Sequence, residues 1–212
     1  MSVVRRVTAL AATLTLAAGA ALVAAPPSTA ATGNRSLAKV LTSDGNRFDH
    51  NKRDFDVTTE AVLAVLATKP TSPVGVLTKG KVALTAFVPT DRAMRVLAYD
   101  LTGRWIVSER KLFKALASLG IDTVETVLLY HVVPGATITA KKALAADGRE
   151  LTTAQGGKFS VDVLAPASGR IRLQDLDPTD VDPFTIPALL NLNKGNKQIA
   201  HGISYVLRPA DL

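Results

Sequence analysis

Three histidines, His50, His131 and His201, are the side chains of this sequence best suited to proton transfer near neutral pH. A hydrolase would need one of them beside a carboxylate and a nucleophilic hydroxyl or thiol. Serine and aspartate are plentiful, but the chain has no cysteine, no G-x-S-x-G turn and no H-E-x-x-H pair, and its histidines lie far apart. His131 and His201 therefore stand only as an alternative, hydrolytic site. No acid or histidine grouping has metal-ligand spacing, and Gly156-Gly157 lacks the Lys-Ser/Thr sequel of a phosphate cradle. No cofactor is expected.

Two segments say more. Thr85-Ala-Phe-Val-Pro-Thr-Asp-Arg-Ala-Met94 reads as a buried strand that stops at Pro89 and restarts as a helix, with Thr90 or Asp91 placed to cap its first amides. Leu128-Leu-Tyr-His-Val-Val-Pro-Gly135 reads as a helix end running into an extended segment and turned by Pro134-Gly135. A histidine beside an apolar strand is first of all a hydrogen-bonded core residue. His131 is accordingly expected to bond a polar group between Thr85 and Asp91.

The elements that must position these residues are short. The stretch from Asn46 to Asp56 is polar and reads as a surface loop pinned by Phe48 and Phe55. A helix follows, capped at Thr58 or Thr59, with Ala61, Val62, Val65 and Leu66 on one face and Pro70 beyond its end. Val82 to Val88 is apolar almost throughout, as in a strand covered on both sides. Three helices then lead to His131: one ended by Gly103, one from Ser108 closed by Gly120, and one from Asp122 or Thr123. Beyond them the chain is mostly extended. Gln155-Gly156-Gly157 suits a hairpin turn, Phe159, Val161 and Val163 alternate, Ile171 and Leu173 alternate again, and the last strand is expected over Ile199 to Arg208. Asp175 to Pro187, with its aspartates and prolines, reads as a loop. The sum is a single α+β domain, helices early and strands late.

Thr85, Phe87, Pro89, Thr90, Asp91 and Ala93 fit a T-x-F-x-P-T-[DN]-x-A block, and Tyr130-His131 with Val132 and Gly135 fits a Tyr-His motif. A third block, Ile199-Ala-His201-Gly-Ile203-Ser-Tyr205-Val206-Leu207-Arg-Pro209, keeps a histidine, apolar alternation and a closing proline. Together these resemble the fasciclin (FAS1) family over about Leu37 to Pro209. The third block departs from the family pattern at Gly195-Asn196-Lys197, where an N-G order is usual, and at Ser204, where an acid is common. The resemblance implies one FAS1-like domain: a twisted, mainly antiparallel sheet of wedge or sandwich form packed with several short helices. It also implies a non-enzymatic adhesion or recognition role, with a cell-surface or matrix protein or polysaccharide as partner. In animal members the Tyr-His segment is implicated in receptor binding, so the resemblance implies that Tyr130, with the edge from Val132 to Ala136, is the patch that meets a partner. A small-molecule or lipid carrier is a further alternative and would need an apolar pocket among the helices.

The first residues are a leader by pattern. Arg5-Arg6 precede an uncharged run from Val7 to Ala25, and small residues follow around Ala30-Ala31. Residues 1–31 are expected to be a cleaved signal peptide and 32–212 the domain, exported and held to the surface without a membrane span. Absence of cysteine means an exported fold without disulfides, and the alanine-rich composition is that of a bacterial, high-GC product. Formal charge is +7 for the whole chain and +5 once Arg5 and Arg6 are removed. Lys79, Lys81, Arg104, Arg110, Lys111, Lys141, Lys142, Lys194 and Lys197 fall mainly at element ends and loops. A cluster among them would draw anionic envelope polymers in a salt-dependent way. Export and the lack of aromatic-basic interleaving argue against specific nucleic acid.

Overall fold

The computed structural model describes residues 33–210, so the expected signal peptide, residues 1–31, lies outside the described residues. Helices α1 (Leu37–Leu41) and α2 (Asp56–Thr68) open the chain, and a 3-10 turn (Pro73–Thr78) leads into strand β1 (Leu84–Pro89). Then come α3 (Asp91–Thr102), α4 (Glu109–Ala117) and α5 (Ile121–Tyr130), followed at once by β2 (Val132–Pro134). Helix α6 (Ala140–Leu144), strands β3 (Glu150–Thr152), β4 (Lys158–Ala165) and β5 (Arg170–Gln174), and finally β6 (Gln198–Ile203) complete it.

Two three-stranded sheets result, ordered β2-β1-β6 and β3-β4-β5. The second is wholly antiparallel, and β1 pairs antiparallel with β2. Strand β1 pairs parallel with β6, from Leu84 opposite Gln198 to Pro89 opposite Ile203. Every residue of β1 and β6 is buried, as the near-continuous apolar run of β1 requires for a strand with both faces covered.

Alternation along β1 divides the core. Leu84, Ala86 and Val88 pack with Leu37, Leu41, Val62 and Val65 under α1 and α2. Phe87 points the other way, into a layer with Tyr130, Phe159, Ile171, Leu173 and Ile203 between the sheets. A third cluster, including Val57, Met94, Leu97, Leu112 and Leu116, joins α2, α3 and α4. The loop before α2 is held as its two phenylalanines suggest: Phe48 lies against Phe113 at 6.3 Å between ring centroids, and Phe55 packs on the first cluster.

Three boundaries differ from expectation. Helix α2 begins at Asp56, not at Thr58 or Thr59, because its first turn is capped from elsewhere in the chain and Thr58 Oγ1 instead donates to Pro89 O at 2.8 Å. Helix α5 starts at Ile121, one residue ahead of the expected Asp122. Strand β6 stops at Ile203, after which the Val206-Leu207 segment leaves the sheet to pack on α3, α4 and the sheet interlayer.

Candidate functional site

The first motif is distributed over several jobs. Thr85 Oγ1 donates to Ala136 O and accepts from Ile138 N, both at 2.8 Å, clamping the loop after β2. Phe87 sits edge-on to Phe159 with centroids 5.3 Å apart and 5.6 Å from the His201 ring. Pro89 ends β1, and Thr90 caps α3 by accepting from Ala93 N at 3.4 Å. Asp91, wholly buried, does not cap its own helix: its Oδ1 accepts from Val57 N at 3.0 Å and so caps α2.

The second motif meets the first through the main chain. Thr85 is opposite Val133, and Phe87 N donates to His131 O at 2.9 Å. The expected bond from the His131 imidazole to the Thr85–Asp91 block is not made. His131 ends α5 in a helical conformation, which turns its ring back toward the preceding turn. Nδ1 lies 2.7 Å from Val127 O, and Nε2 accepts from Leu207 N at 2.9 Å. The second bond fixes the tautomer, so Nδ1 carries the proton. Burial pushes the imidazole down to about 4.

Tyr130 is fully buried, and its hydroxyl donates to Lys158 O at 2.6 Å. Burial holds that hydroxyl well above the usual phenol range. Tyr130 thus has no surface to offer a partner, which corrects the expectation for that residue, whereas Pro134 and Gly135 of the same expected edge are exposed. Sequence reading went astray because an aromatic at a helix exit looks the same whether it faces solvent or a second sheet. Gly135 takes a left-handed φ of 79°, the conformation that lets the chain turn away from β2, and its N–H reaches Ala83 O at 2.9 Å.

His201 is buried as well. Its Nδ1 accepts from Asn191 N at 3.3 Å and its Nε2 lies 2.8 Å from Ile138 O, while burial lowers its pKa. Both imidazoles are therefore engaged by main-chain groups, with no hydroxyl or carboxylate bonded to either ring among the described residues. The hydrolytic alternative has no support in this geometry. The carrier alternative fares similarly: the apolar cavity between α2, α3, α4 and α5 measures about 50 Å³, far below the hundreds of Å³ a lipid-sized ligand fills.

An open groove lies elsewhere, on the connection from α3 to α4. It encloses about 650 Å³ and is lined by Arg104, Trp105, Ile106, Val107 and Lys111 among others, with no carboxylate in its wall. Trp105 is 54% exposed and meets the exposed Tyr99 edge-on at 6.1 Å, and Val107 is 61% exposed. Arg110, beside this groove in sequence, stacks on Phe48 with its guanidinium 5.5 Å from the ring centre. The sequence reading named Arg104, Arg110 and Lys111 but passed over Trp105. The available signal was its rarity, since it is the single tryptophan of the chain and stands on a connection, where burial is not imposed.

The conspicuous motif residues thus serve architecture, holding strand ends, helix starts and loops together. A model of the fasciclin domain matches residues 58–209, and the chain belongs to that family. Fasciclin domains are generally extracellular adhesion modules without enzymatic activity. A solved FAS1 domain pair from the insect cell adhesion molecule fasciclin I is similar at 19% identity, with a TM-score of 0.49. That similarity covers 71% of this chain and 46% of the domain pair, so the chain spans under half of that structure. No curated protein matches the chain. Among the described residues no helix is long and apolar enough to cross a membrane.

Proposed function

We propose that the protein is a secreted, non-enzymatic recognition module of the cell surface or matrix, and that it holds acidic polysaccharide in the groove between α3 and α4. The observation that carries this reading is the exposed Tyr99–Trp105 pair bordered by Arg104 and Lys111, with no acid in the groove wall. Aromatic faces take the apolar faces of sugar rings, and the two cations favour uronate or phosphate substituents on them. Family membership and the leader pattern support the extracellular setting.

The single tryptophan supplies its own readout. Titrating the purified protein with polygalacturonate, against neutral dextran, should shift Trp105 emission, with binding that weakens as salt rises. Trp105→Ala should abolish retention on the acidic polymer while leaving the melting temperature unchanged. Binding only to protease-sensitive envelope material would replace the polysaccharide with a protein partner. Binding to neither, at low or high salt, would remove the recognition role.

A further inference from the structure

Two acidic clusters lie outside the groove, and they differ in one respect. The loop holding Asp175, Asp177 and Asp180 receives Arg208: its side chain meets Asp177 at 3.3 Å and Asp180 at 3.0 Å, and its backbone N–H donates to Asp175 at 2.7 Å. That cluster contains its own cation. The other gathers Asp49, Asp54, Asp56, Asp91 and Glu109 where the loop before α2 crosses the starts of α2, α3 and α4. Among the described residues only Arg95 pairs with any of these five, at 3.6 Å from Glu109 Oε1.

Within that second cluster, one carboxylate oxygen from each of Asp49, Asp56 and Glu109 lies within 4.8 Å of the others. Asp56 is 2% exposed, and its carboxylate accepts no hydrogen bond from the described residues. Glu109 is equally buried: Oε2 accepts from His50 N at 3.0 Å, whereas Oε1 has no hydrogen-bond partner. Asp54 and Asp91 are hydrogen-bonded to each other through their side chains, a pair that one shared proton compensates, and they stand outside the group of three. Asp49, exposed, uses one oxygen on Asn51 N and borders solvent. Buried carboxylates so poorly compensated are costly unless a cation accompanies them.

We infer that Asp49, Asp56 and Glu109 form a site for a hard divalent cation, with calcium the ion it fits best. All the donors are oxygens, and two donors about 2.4 Å from a shared calcium stand no more than about 4.8 Å apart. Calcium accepts irregular coordination completed by water, which an exposed Asp49 on an irregular loop allows, whereas magnesium demands near-octahedral geometry. Glu109 is the first residue of α4, two residues before Lys111 of the groove. The ion would tie the loop before α2 to the wall of the recognition surface.

The test begins with chelator-stripped protein and calcium chloride alone. Calorimetric titration should give one site, with an affinity of about 10⁻⁴–10⁻³ M as in other extracellular modules and at least tenfold weaker binding of magnesium. Calcium at about ten times its dissociation constant should raise the melting temperature by ~3–5 °C. Asp56→Asn should abolish both signals. Asp49→Asn, at an exposed position that cannot endanger the fold, should weaken calcium at least tenfold with the ion-free melting temperature unchanged. No heat and no thermal shift at several millimolar calcium, or an undiminished response in Asp49→Asn and Asp56→Asn, would overturn the site. None of these readouts depends on polysaccharide, so failure here leaves the recognition reading intact.

Discussion

His131 has its proton on Nδ1 and receives the Leu207 N–H at Nε2, so a second proton would set two donors against each other at a buried site. Its pKa of about 4 in the folded chain, against 6.5 when unfolded, makes this a pH-dependent cost. Between those values the unfolded chain binds the proton and the folded chain does not. The stabilising contribution is therefore complete above about pH 6.5 and is lost as pH falls to about 4, a change on the order of 3 kcal/mol. His131→Gln removes the titration. Urea unfolding at pH 7 and pH 4.5 should show a smaller stability loss for the variant than for the parent, and equal losses would refute the assignment. At this scale the sequence revealed which residues mattered more readily than what they touch. Asp91 and His131 were both singled out, yet Asp91 caps a helix start 34 residues earlier and His131 bonds an amide 76 residues later. Nothing local encodes partners at such separations.

Gln198 shows the same effect for an element. Wholly buried at the start of β6, it accepts from Leu37 N at 2.8 Å and donates to Val76 O at 2.8 Å and Lys79 O at 3.0 Å. One amide thus fastens α1, the 3-10 turn and the parallel strand. Gln198→Leu leaves the Leu37 amide unpaired, while Val76 O and Lys79 O keep the Lys79 and Val82 N–H groups as donors, and should cost about 2 kcal/mol, measured by urea unfolding. Arg208 plays a comparable part at the far end of the chain, joining Asp100 of α3 at 2.6 Å to the Asp177–Asp180 loop. Removing its charge in Arg208→Leu strands buried carboxylates, with an expected loss of about 3–5 kcal/mol by the same measurement. Elements marked by local signals were legible: β1 with its stop at Pro89, α3 between Thr90 and Gly103, and the β3–β4 hairpin around Gly156. The start of α2 was not, because its capping group, Asp91, arrives from the start of α3 rather than from its own neighbourhood.

Across the whole molecule, basic charge and aromatic surface coincide on the α3–α4 connection, which sequence spacing could not announce because the groove exists only once two helices are set beside each other. If Arg104 and Lys111 supply the electrostatic part of binding, Arg104→Gln with Lys111→Gln should flatten the salt dependence of polygalacturonate affinity. Stability should hold, since both side chains are exposed and surface substitutions away from caps and ion networks shift it little. A double variant that kept the parent's salt slope would place the charge contribution elsewhere on the surface.

The parallel pairing of β1 with β6 also sets a timetable. Residues from the first half of the chain wait for their hydrogen-bonding neighbour until nearly the last residue has been polymerised. A nascent polypeptide can form its local helices early but cannot close its central ladder, so non-local closure governs how fast it matures. Until then one edge of β1 stays open to competing strands.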